Sequence, residues 1–62
     1  MEHEVYWNED TRDYVTFDNL GAEIPLYVDT LAEAQKAAAL VFGVAPEQIV
    51  EAGVVTSDGE GV

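Results

Sequence analysis

Thr30-Leu31-Ala32-Glu33-Ala34-Gln35-Lys36-Ala37-Ala38-Ala39-Leu40-Val41-Phe42-Gly43 is the stretch on which the fold turns. Before it, apolar residues recur at every second position; within it they recur at every third or fourth. Thr30 and Glu33 are expected to form a capping box, with Thr30 capping the N-terminus and Glu33 reaching back. Asp29 adds negative charge where the helix dipole favours it. Alanine, the strongest helix former, fills the interior. Gly43 follows the last periodic residue and suits the left-handed position that ends a helix. The spacing predicts a helix over 30–42, with Leu31, Ala34, Ala38, Val41 and Phe42 on one apolar face.

Upstream the period is two. Residues 3–8 place Val5 and Trp7 on one side and Glu4, Tyr6 and Asn8 on the other. Glu9, Asp10, Thr11 and Arg12 form a polar connection of hairpin length. Residues 14–18 alternate again, with Val15 and Phe17 on one side and Tyr14, Thr16 and Asp18 on the other. Asn19-Leu20-Gly21 is a turn signal. Residues 23–28 set Ile24, Leu26 and Val28 against Pro25, Tyr27 and Asp29. Pro25 cannot donate to a ladder, so either this is an edge strand or Pro25 sits at an unpaired position. Downstream, Pro46 stands at the first position of a single helical turn. A final strand is expected over 53–56, at the end of an apolar run beginning at Ile49. Residues 57–62 are polar and glycine-containing, and are expected to fray.

The order is therefore β-β-β-α-β, an α+β domain over 1–56 with an antiparallel sheet and one helix on one face, followed by a tail over 57–62. A chain of 62 residues makes one domain. At this size only about 60% of the unfolded surface is buried on folding. With no cysteine, neither a disulfide nor a thiolate metal site can add stability. A homodimer is one way to bury more.

If Val5, Trp7, Val15, Phe17, Ile24, Leu26 and Val28 face the helix, the other side of the sheet carries Glu4, Tyr6, Tyr14, Thr16, Asp18, Pro25 and Tyr27. One helix cannot cover both sides. All three tyrosines then stand among carboxylates on an open face. Tyrosine is enriched at interface hot spots, and acids steer a basic partner. The expected partner-binding residues are Glu4, Tyr6, Tyr14, Asp18 and Tyr27 on that face, with Glu9, Asp10 and Asp13 at the hairpin. The plainer reading is that tyrosine suits a solvated strand, where cross-strand pairs contribute roughly 0.2–1 kcal/mol.

Charge is the strongest compositional signal: 13 acids oppose one arginine and one lysine, a formal net of -11. Nucleic acid and anionic membranes repel such a surface, so direct binding to either is excluded and a basic protein is favoured. Eight acids lie in residues 1–29 against Arg12 alone. The start of the chain, Met1-Glu2-His3-Glu4, lacks the order of a signal peptide, and a cytoplasmic location is expected, the host cytoplasm if the chain is phage-encoded.

Motifs for chemistry are missing. There is no nucleophile elbow, phosphate loop, HExxH or calcium loop. His3 is the single histidine, and Glu2, His3 and Glu4 alternate along a strand, so they cannot converge on a metal. No cofactor, metal or enzymatic activity is expected. In size and charge, though in no motif, the chain resembles the small phage-encoded inhibitors of host nucleases, the anti-restriction and anti-CRISPR proteins. That resemblance implies an inhibitor that occupies a basic, nucleic-acid-binding surface. A halophilic domain, or a small subunit docking through the tyrosine face, would explain the same composition.

Overall fold

The computed structural model describes residues 3–56; the expected frayed tail at 57–62 lies outside the described residues. Strand β1 (His3–Asn8) and strand β2 (Asp13–Phe17) form the hairpin, paired antiparallel with Val5 opposite Thr16, Tyr6 opposite Val15, Trp7 opposite Tyr14 and Asn8 opposite Asp13. Local chemistry sets the four-residue loop between them. Asn8 Oδ1 accepts from the Asp10 and Thr11 amides at 2.9 and 3.2 Å, and Arg12 N donates to Asn8 O at 2.8 Å. Arg12 closes the loop in the left-handed region, at φ 62. At the next turn the Asp18 carboxylate accepts from Leu20 N and Ala22 N at 2.9 and 2.8 Å, returning the chain into strand β3 (Glu23–Pro25).

The loop length corrects the expected faces. Pairing Asn8 with Asp13 sets odd residues of β1 opposite even residues of β2. Tyr14 and Thr16 therefore share the face of Val5 and Trp7, while Val15 and Phe17 turn to the face of Glu4, Tyr6 and Asn8. A one-residue change of register moves every side chain across the sheet. The consequences are visible: Trp7 packs edge-on against Tyr14 with ring centroids 5.0 Å apart, and Tyr6 edge-on against Phe17 at 5.3 Å. Thr16, fully buried, satisfies its hydroxyl by donating to Glu4 O at 2.6 Å. β3 continues the alternation, with Ile24 opposite Thr16 and Pro25 opposite Val15.

Helix α1 (Leu31–Phe42) forms as the sequence predicts, with Thr30 Oγ1 accepting from Glu33 N at 3.2 Å and Gly43 ending it at φ 70. Its buried residues are Ala34, Ala38 and Ala39, with Leu31, Gln35 and Phe42 half-buried beside them. Val41, expected on this face, lies on its flank at 47% exposure, and Ala39 is buried instead. Three alanines at the contact let the helix lie close to the sheet. They pack with Val5 and Ile49, ringed by Tyr14, Leu26, Val28, Leu31, Phe42 and Val44. Gln35 Nε2 donates to Ile49 O at 3.0 Å and ties the helix to the last strand.

A 3-10 turn (Pro46–Gln48) follows, with Pro46 in its expected place, and leads into strand β4 (Ile49–Val55). The sheet order is β3-β2-β1-β4, so Pro25 does lie on an edge. The first three strands are antiparallel as expected. The fourth pairs parallel with β1, giving a mixed sheet. The helix carries the chain back along the sheet, so β4 runs in the same direction as β3 and hence as β1, and it pairs along the free edge of β1. β4 also begins earlier than expected. Val5 faces Glu51 and Tyr6 faces Gly53, which leaves Ala52 in a bulge, with Gly53 at φ 155. The bulge lets the strand continue past the glycine.

Candidate partner-binding face

Among the described residues, the helix packs on one sheet face only; on the other face Asn8 and Val15 are fully buried, and the more exposed residues stand around them. β1 contributes Glu4, Tyr6 and Asn8; β2 contributes Asp13, Val15 and Phe17; β3 contributes Glu23 and Pro25. The Tyr6 hydroxyl donates to Glu4 Oε1 at 2.8 Å. That hydrogen bond, with burial and the Glu4 charge adding to it, raises the Tyr6 phenol above its ordinary value of 10.0. Deprotonation would remove the donor and set two negative charges together.

The centre of the face is organised by Asn8 and Glu23. Asn8 is fully buried, and its Nδ2 donates to Glu23 Oε2 at 3.0 Å. Beside this bond a groove of about 570 Å³ is lined by Thr11, Asp13, Val15, Glu23, Pro25 and Tyr27. Thr11 Oγ1 donates to Asp13 Oδ1 and orients that carboxylate. Tyr27 stands at the edge at 79% exposure, on a backbone kink at φ 59. Leu26 N donates to Tyr14 O and Tyr14 N to Val28 O, both at 3.0 Å, so the pairing of one β2 residue brackets the kink.

Six of the eight expected residues stay together. Glu4, Tyr6, Asp13 and Tyr27 lie on the open face or its edge, and Glu9 and Asp10 are exposed on the adjoining loop. Two leave it. Tyr14 is half-buried against the helix-side core, because of the hairpin register. Asp18 belongs to the β2–β3 turn, where its carboxylate closes the loop. Sequence reasoning missed Asn8, Phe17 and Glu23. The signal for Asn8 was present: an asparagine before a short polar loop commonly accepts from amides two and three residues on. Nothing local announced Glu23, whose partner is on another strand.

A second recess opens at the opposite end of the sheet, where His3 stacks on Phe42 with ring centroids 4.1 Å apart, beside Ile24 and Val41. Among the described residues, no three His, Asp or Glu side chains gather as metal ligands. No helix among them is long and apolar enough to cross a membrane. No protein family, curated protein or solved structure matches this chain.

Proposed function

We propose that this chain is a small acidic inhibitor that occupies a basic, nucleic-acid-binding surface of a target protein, in the manner of the phage anti-CRISPR and anti-restriction DNA mimics. The observation that carries the reading is the acidic sheet face opposite the helix. It presents carboxylates from three adjacent strands, Glu4, Asp13 and Glu23, with Glu9 and Asp10 on the loop beside them. A net charge of -11 raises the encounter rate with a basic surface and keeps nucleic acid away. Tyr6 and Tyr27 add contact area within the acidic field. The chain acts by surface complementarity and not by catalysis, and works in the cytoplasm where its target meets nucleic acid.

The test is competition. Fluorescently labelled duplex DNA is bound to each of several restriction and CRISPR nucleases, and the chain is titrated in. Displacement that weakens steeply with added salt is expected, as ion-pair contacts require. The Asp10→Lys/Asp13→Lys variant should displace with a slower association. Intact nuclease–DNA complexes throughout, at low salt, would remove the reading.

A further inference from the structure

We infer that the groove between the hairpin loop and β3 is a pocket for one arginine side chain of the basic partner. The inference rests on the proposed function and names the side chain that is read. The floor is apolar: the exposed Pro25 ring lies there, backed by its fully buried cross-strand partner Val15. Such a floor suits the methylene stem of a long cationic side chain. The rim carries two carboxylates from different strands, Asp13 on β2 and Glu23 on β3. Each is oriented from within the chain, Asp13 by the Thr11 hydroxyl and Glu23 by the Asn8 amide. Each of these bonds occupies one carboxylate oxygen. Tyr27, mostly exposed, offers its ring as the remaining wall.

Apolar floor, paired carboxylates and one aromatic face together fit a guanidinium. It is planar, donates in a fork and stacks on a ring, whereas an ammonium is a compact, strongly hydrated point charge. The groove, about 570 Å³, has room for a guanidinium and its stem. The chain's single arginine, Arg12, is not among the lining residues.

The test uses ¹⁵N-labelled full chain and three peptides: acetyl-Gly-Arg-Gly-amide, its lysine counterpart and its citrulline counterpart. Amide shifts confined to Asp13, Val15, Glu23 and Tyr27 are expected with arginine, weaker ones with lysine and none with citrulline. Tyr27→Asn, an exchange that keeps a residue tolerant of positive φ, should weaken arginine binding about 3-fold. The Asp13→Asn/Glu23→Gln variant should weaken it about 10-fold. Circular dichroism checks that each variant folds. Equal binding of arginine and lysine, or shifts spread over all the surface acids, would overturn the pocket. Duplex displacement by Tyr27→Asn at full potency would also overturn it and leave the inhibitor reading standing. Failure of the unaltered chain to displace duplex, with arginine still held in the groove, would remove only the inhibitor reading.

Discussion

The Asn8 side-chain amide donates to the Glu23 carboxylate at 3.0 Å across the intervening strand β2. β1 and β3 share no backbone pairing, so this bond joins them directly. The same amide group works in the other direction too. Its oxygen accepts from Asp10 and Thr11 and shapes the loop that fixes the hairpin register. One buried side chain thus decides which residues face outward and holds an outward carboxylate in place.

Replacing Asn8 with alanine should therefore be costly. Two loop amides and a carboxylate lose a buried partner, and each unsatisfied group costs about 1–3 kcal/mol before water relieves it. A loss of about 2–3 kcal/mol is expected in urea unfolding, a large share of the stability of so small a domain. A loss below about 0.5 kcal/mol, within the usual range of plain surface changes, would show that the hairpin closes without it.

Helix packing makes a second prediction. Ala38 is fully buried where α1 meets the sheet. Ala38→Leu forces extra volume into that contact and should destabilise by about 1–3 kcal/mol, although leucine is a good helix former. Leu40→Ala, at a position 85% exposed, should change stability by less than about 0.5 kcal/mol. Comparable losses at both sites would contradict the packing.

Tyr6 sets a dependence on alkaline pH. Its folded-state pKa is raised above 10.0, chiefly by the hydrogen bond to Glu4, so the fold favours the neutral phenol. The stability contributed by this pair is present below pH 10 and is lost as pH rises through the folded value. Titration at 295 nm, with Tyr6→Phe as the reference for assignment, should show the Tyr6 transition moving down in Glu4→Gln. No movement would place the cause elsewhere.

Salt separates recognition from halophilic adaptation. If the acids serve to bind a partner, circular dichroism and sedimentation should show a folded species in near-zero salt. Unfolding as salt is withdrawn, from unscreened repulsion among 13 acids, would assign the charge to a saline environment.

Much of the fold was legible residue by residue. Thr30 and Gly43 marked the helix ends, Pro25 marked an edge strand, and Pro46 marked the turn before the last strand. The candidate face was only half legible. Alternation correctly grouped Glu4 with Tyr6, and Tyr14 with Thr16, because period two is a property of each strand. It could not say that the second pair belongs with Val5, since that relation depends on the parity of the loop between the strands.

Within this chain, then, the residues alone determined the elements, their order and the acidic character, since capping, periodicity and charge are local or additive properties. Tertiary structure decided three things. Hairpin register put Val15 and Phe17 on the face away from the helix and Tyr14 on the helix side. The helical return set β4 parallel to β1. The Asn8–Glu23 bond and the groove beside it arose from strands that meet only in space. Each is a relation between elements, and such relations depend on loop geometry and packing that no periodicity within one element encodes.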